Sequence, residues 1–432
     1  MPRRPRHPGL APAGDAVERA GTRRWRAQRL LEAPHRLCFF WAGVTWALSA
    51  TWWAVQLVAV WLGADWPWRV APAVAHGLLF AMGSMPLFIA GFVFTAGPRW
   101  LQRPPVSAYG LRWPVWLYAS GWALAVAGFQ LSDGLAAGGL AIACGAWAAL
   151  TLRVLRLRSG SQVADRQHVT GMAVACLAIV ACLAASSLAL LLTRPQWLGS
   201  TLRIGLWSVA AIFLIVSHRM LPFLGKGAWR LLDARWPDWP LWLVVSVPLV
   251  QIAAAILDPG HSAPRAWRAA EAALLAFVAT VCLLLALRLR RQAALRQPLV
   301  AMLFVAFLWW DLALWLGAAS HWPWGSDGRW RALDIAQLHA LALGFLGGTL
   351  LVMASRVSSA RSGRPQAIDK AARLLYAALQ ATVVLRLTSA LWAQAPALLL
   401  PLAACAWMGI AGIWAARHGR WLGCPRVDGR PG

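Results

Sequence analysis

The sequence predicts an all-α fold, a polytopic bundle of about twelve membrane-spanning helices with both termini in the cytoplasm. Three observations predict it. Of 432 residues, 60% are hydrophobic and only 13% are charged, against roughly 25% charged in an ordinary soluble domain. The apolar residues fall into runs of spanning length, since a bilayer core near 30 Å takes about 20 residues of helix. The basic residues fall between those runs in an alternating pattern, which is how orientation in a membrane is encoded.

The elements follow in order. Residues 1–36 form a basic arm rich in Arg and Pro, ending at Arg29 and Arg36, with no apolar run before residue 37. It is too long for an ordinary cleaved signal, and the first apolar run is itself of spanning length. The arm is expected to be disordered or interfacial. The membrane domain covers 37–416, with spans expected at 37–63, 71–96, 113–131, 135–155, 170–192, 199–217, 238–257, 268–289, 298–319, 334–355, 371–393 and 395–416. Residues 417–432 form a cytoplasmic tail. Pro86 is expected to kink the second span. Gly138, Gly139 and Gly145 in the fourth span, and the G-x-x-x-G of Gly344 and Gly348 in the tenth, suit close helix approach.

Loop charges test the count. With the N-terminus inside, inside loops hold Arg99, Arg103 and Arg112, then Arg156, Arg158 and Arg166, and onward to Arg417, Arg420, Arg426 and Arg430 at the C-terminus. Outside loops hold only Arg69, Arg194, Arg265, Arg268, Arg329 and Arg331, together with the Trp pairs Trp66/Trp68 and Trp322/Trp324. One miscounted span would invert the pattern from that point on. The formal net charge of +26 is therefore a topology signal in a bacterial inner membrane. No basic domain stands clear of the membrane, so a nucleic-acid partner is not expected. None of the seven cysteines forms a C-x-x-C pair, which argues against a disulfide framework, a zinc ribbon or covalent c-type haem.

Ionisable residues within apolar spans are costly and mark function. His76 and His339 each lie about five residues into a span that runs from outside to inside, so both belong at one depth near the outer face. Arg203, Arg386 and Asp311 share that outer half, with Asp311 a candidate charge partner for either arginine. A second group, His218, Arg219 and Arg356, lies at the inner end. Two imidazoles at one depth suit axial haem ligation or part of a copper site, and arginines there suit haem propionates. The plainer alternatives are interfacial histidines and a structural Asp–Arg pair. His35, His168, His261, His321 and His418 are placed in loops or tails without a role.

Several segments resemble the NnrS family of haem- and copper-containing membrane proteins linked to nitric oxide. The first is Ala75-His76 followed by the segment from Ile89 to Ala96, Pro98-Arg99-Trp100 and Arg103-Pro104-Pro105. The second is Ser217-His218-Arg219-Met220-Leu221-Pro222-Phe223. The third is Leu338-His339-Ala340-Leu341 with Gly344, Met353, Arg356-Val357-Ser358 and Gly363-Arg364-Pro365, and Arg386 matches an arginine of the next helix. These landmarks run from residue 35 to about 390 in family order. The resemblance implies haem as cofactor, copper as a possible second metal, and nitric oxide or another small diatomic ligand as partner. It implies His76 and His339 as metal ligands, with His218, Arg203, Arg386 and Arg356 toward the cofactor and Asp311 and Arg219 behind them. Val74, Gly77 and Arg361 stand where the family pattern has His, Glu and His, which weighs against copper. Whether the chain is an enzyme is left open by the residues. The competing readings are a secondary transporter using buried Arg and Asp, and a metal-free family relative with a structural or interaction role. A haem-copper oxidase subunit needs about six intramembrane histidines and has too few here.

Overall fold

The computed structural model describes residues 24–64, 66–224, 238–258, 263–290, 293–322, 329–364 and 368–428. Among them the regular structure is helical throughout. The long helices are α1 (Pro34–Trp61), α2 (Pro72–Trp100), α3 (Arg112–Leu131), α4 (Asp133–Ser159), α5 (Gln167–Leu191) and α6 (Trp197–Leu224). They continue with α7 (Trp239–Leu257), α8 (Arg265–Leu289), α9 (Pro298–His321), α10 (Trp330–Arg361), α11 (Lys370–Leu391) and α12 (Leu399–Leu422). Eleven of them are long and apolar enough to cross a membrane, so this is a multi-pass membrane protein. The exception is α3, whose 20 residues include Arg112, Trp113, Trp116, Tyr118 and Gln130.

Contacts between the chain ends decide whether α3 crosses. The Trp25 indole donates to the Gly419 carbonyl at 3.1 Å, and the Arg26 amide to the Gly423 carbonyl at 3.0 Å. Arg36, only 2% exposed, sends Nη1 to the carbonyls of Leu422 and Cys424 at 2.8 and 2.9 Å. A guanidinium at a helix C-terminus satisfies carbonyls that have no partner within the helix. The start of α1 and the end of α12 therefore lie at one end of the bundle. An even number of crossings does that and eleven does not, so α3 is the twelfth. Of the basic arm, residues 24–36 are thus packed rather than loose, because Arg36 is bonded inside the protein; residues 1–23 lie outside the described residues.

Two helices form the centre. The apolar windows of α2 and α10 are 89% and 72% buried, against 28–61% for the others. Both touch α1 and α6; α2 also packs against α3 and α4, and α10 against α9, α11 and α12. Small residues allow this depth. A methyl group on Gly91 would stand 2.6 Å from the Phe39 ring of α1, and one on Gly344 would stand 2.5 Å from the Trp309 ring of α9. Gly348, the second glycine of the G-x-x-x-G, faces Ala306 of α9. In α4, Gly139 meets α3, but Gly138 and Gly145 face open space.

Both central helices contain a π-helical stretch, Leu79–Ser84 in α2 and Ala340–Gly347 in α10. In α2 the cause is local. Pro86 has no N–H, so the Met82 carbonyl four residues earlier loses its ordinary helix partner. The buried Tyr118 hydroxyl of α3 donates to that carbonyl instead. The irregularity expected at Pro86 is a widened turn on its N-terminal side, closed by a neighbouring helix. Tyr118→Phe leaves a buried carbonyl unbonded and is expected to cost about 1–3 kcal/mol, measured as loss of thermal stability in detergent.

At the terminus-bearing end, Asp369 caps α11, its Oδ1 accepting the Ala372 amide at 2.9 Å and an Arg417 N–H at 3.1 Å. The Arg417 guanidinium, and then the cap, hold its carboxyl below the usual carboxylate range. A carboxylate with a lowered folded pKa stabilises above its unfolded pKa and loses that contribution as pH falls through the folded one. Asp369→Asn is therefore expected to flatten the acid limb of a stability–pH profile while leaving the alkaline limb unchanged.

Candidate functional site

The imidazoles expected at one depth are found at one end of the bundle, opposite the termini, near the N-terminal ends of α2 and α10. Pro72 opens α2 at its first turn, where a missing N–H costs nothing. That places His76 one turn in, where Trp53 of α1 stacks flat on the ring at 4.3 Å with planes 8° apart. On α10, His339 is the last residue before the π stretch. Its Nδ1 is 2.7 Å from the Ile335 carbonyl, an acceptor only, so Nδ1 carries the proton and Nε2 keeps its lone pair. This is the tautomer of a histidine prepared for a metal through Nε2, with its other nitrogen anchored to backbone.

The two rings are close enough to act on one another electrostatically, and the Arg386 charge acts on both. Arg386 donates to Ser389 Oγ at 3.1 Å, and no carboxylate lies within ion-pairing distance of it among the described residues. His76, His339 and Arg386 thus lie within electrostatic reach of one another, on α2, α10 and α11. Leu202 of α6 occupies the space beside Gly77, its Cδ2 2.6 Å from where a Cβ would stand. That fits the absence of a larger side chain at this position.

Other expected members are placed elsewhere. Arg203 makes a two-pronged pair with Asp334 of α10, at 3.1 Å and 2.5 Å, with both side chains mostly buried. It is therefore not available to a second anion, and Asp311 is not its partner. Asp311 is buried, and its Oδ1 has no hydrogen-bond partner among the described residues. The reason is register: Asp334, five residues before His339, meets Arg203 at its own depth, and Asp311 lies far along α9 from that level. Arg219 pairs with Asp165 at 3.4 Å in an exposed position and lies over the Trp100 ring. It faces neither Asp311 nor the imidazoles.

The inner group does not gather into one site. His218 is buried and its Nδ1 lies 3.1 Å from His168 Nε2 of α5, the rings stacked with planes 19° apart. Arg356, on α10, is half-buried, and its Nη1 has no partner among the described residues. His218 lines a largely apolar cavity of about 550 Å³ in this half of the bundle, with Phe88, Phe92, Phe304, Phe307 and Phe345 around it.

Several participants escaped a reading from sequence. His35, His168, His321 and His418 belong to helices and are mostly buried, not set in loops or tails; His261 lies outside the described residues. Trp53, one of 30 tryptophans, carried no signal. Asp334 did: it stands in the same apolar-rich helix as His339, at a depth matching Arg203.

The donors can be tested against the cofactors that the family resemblance implies. Two imidazoles at one end of the bundle, one with its tautomer fixed for Nε2 ligation, and one guanidinium without a carboxylate among the described residues fit a haem with its propionate. A copper ion prefers several nitrogen or sulfur ligands and no cation beside it. Among the described residues no three His, Cys, Asp or Glu side chains gather as metal ligands, so the residues on view do not fit copper.

Comparison with known proteins adds one finding. The family described as NnrS protein matches residues 29–426. No curated protein and no solved structure matches the chain.

Proposed function

The chain belongs to the NnrS family, and on that premise we propose that it is a haem-binding protein of the bacterial inner membrane, termini in the cytoplasm, acting in the response to nitric oxide. The observation that carries this reading is that His76 and His339 lie at the same end of the two most buried helices, with the Arg386 charge of α11 in electrostatic reach of both. Haem, when bound, supplies a redox-active iron that takes small diatomic ligands.

Each residue has a separate part. His339 offers Nε2 because the Ile335 carbonyl holds its other nitrogen. Trp53 fixes the plane of the His76 ring by stacking. Arg386, whose described side-chain bond is to Ser389, provides positive charge for a propionate in a low dielectric, where a charge-assisted bond is strongest. The π stretches, which begin directly after His339 and three residues after His76, set the aim of the helices at this point, as such bulges often do at functional sites.

The test is the visible absorption spectrum of detergent-purified protein, oxidised and reduced, with metal analysis on the same sample. A Soret band with iron near stoichiometric supports the reading. A preparation that stays colourless after reconstitution with haem rejects it, and makes solute flux in proteoliposomes the next measurement.

A further inference from the structure

A second polar cluster lies in the same half of the bundle and takes no part in the group above. Glu271 of α8 is 6% exposed, inside a segment apolar enough to span a membrane. Its Oε1 accepts the Gln251 side-chain N–H of α7 at 2.6 Å and stands 3.2 Å from His321 Nε2 of α9. The other nitrogen of His321, Nδ1, is 2.8 Å from the Gly317 carbonyl.

Counting protons gives this cluster its meaning. A carbonyl oxygen only accepts, and the Ser320 hydroxyl, 3.1 Å from Nδ1, already donates to that same carbonyl, so Nδ1 of His321 carries the hydrogen. In the neutral ring Nε2 is then a lone pair, and at 3.2 Å it would face a carboxylate oxygen, lone pair against lone pair. The contact is attractive only if one proton sits between the two groups, on the imidazole or on the carboxyl. Gln251 already donates to Oε1, which favours the ionised carboxylate and leaves the proton on the imidazole. Either way the pair with its proton carries no net charge, so burial costs it far less than it costs the unpaired carboxylate.

We propose that Gln251, Glu271 and His321 form a proton-binding site, exchanging one proton with the aqueous phase at the end of the bundle away from the termini. The bound proton ties α8 to α9, with α7 held through Gln251. Loss of the proton leaves an anion facing an imidazole lone pair, so α8 and α9 lose this tie. The surrounding charged groups are Asp334 of α10, which acts on His321 electrostatically, Arg203 of α6, which holds Asp334, and Arg268 one turn before Glu271 on α8. Asp311 lies ten residues before His321 on α9, in the next depth of the bundle. The Asp334–Arg203 pair links this site to α10, the helix that carries His339. Buried ionisable pairs of this kind are typical of proton paths in membrane proteins.

The experiment is infrared difference spectroscopy between acid and alkaline pH on purified protein in detergent, which needs no haem and stands apart from the haem reading. The wild type is expected to show an imidazolium signal lost on alkalinisation together with a perturbed carboxylate band, and Glu271→Gln to lose both. His321→Gln, which preserves a hydrogen-bonding side chain, is the second variant. It removes the cation, so Glu271 is expected to show a protonated carboxyl C=O band at neutral pH that the wild type lacks. Wild-type difference features persisting in Glu271→Gln, or no protonated carboxyl band in His321→Gln, would overturn the proposal. The second result can be read even if the first variant does not fold.

Discussion

His339→Ala is expected to abolish the Soret absorption of the purified protein, and His76→Ala to abolish it or convert it to a five-coordinate form. The expectation follows from how the two rings are held. His339 has its Nδ1–H committed to the Ile335 carbonyl at 2.7 Å, so nothing else supplies the lone pair it presents. His76 is held flat by Trp53 and contributes the second nitrogen. Every ~1.4 kcal/mol of lost binding energy lowers affinity about tenfold, and an axial bond exceeds that severalfold. His218→Ala is the control, because His218 lies in the other half of the bundle against His168. If His218→Ala alone removes the colour, the haem belongs in the apolar cavity beside it and the grouping at His76 is structural. Arg386→Gln should retain haem with a shifted midpoint potential, and Arg386→Lys should restore part of the shift by restoring the charge.

The second large effect concerns packing. Gly139→Ala is expected to destabilise the protein by about 2–4 kcal/mol. A methyl group at this position would stand 2.6 Å from the Gly121 carbonyl oxygen and 2.8 Å from the Ala125 Cα of α3. Those are backbone atoms, which no rotamer change can move aside, so α3 and α4 must separate along their length. Gly121 reciprocates, its added carbon falling 2.7 Å from the Gly139 oxygen. Without a hydrophobic driving force between helices in lipid, such close backbone approach is a main source of association. Gly145→Ala, in open space on the same helix, should instead stabilise by up to about 1 kcal/mol through helix propensity. Thermal unfolding of the three proteins in one detergent compares them directly. Equal effects at 139 and 145 would show that helix propensity, and not contact with α3, sets the cost.

Much of the fold was legible because membrane insertion imposes a one-dimensional rule: apolar length sets each span, and basic loops set its direction. The spans expected from sequence match the observed helices to within a few residues at most ends. The least apolar is 113–131, where Trp, Tyr and Gln dilute the hydropathy of a helix that nevertheless crosses. What showed that it crosses was a tertiary fact, the bonding of Arg36 to the carbonyls of Leu422 and Cys424.

The sequence by itself determined a helical membrane protein and a family resemblance, and it put His76, His339, Arg203, Arg386 and Asp311 in one outer half, of which Asp311 lies deeper than the rest. Depth follows from counting residues along each helix. Only the tertiary structure decided which of these groups meet, because partners at one depth are separated by rotation about the helix axis and by the order of helices around the bundle. Neither is written in hydropathy. So Arg203 turned out to belong to Asp334 rather than Asp311, while Arg386 bonds Ser389 with its charge in reach of the imidazoles. His321, without a role in the sequence, lies against a buried glutamate contributed by a different helix.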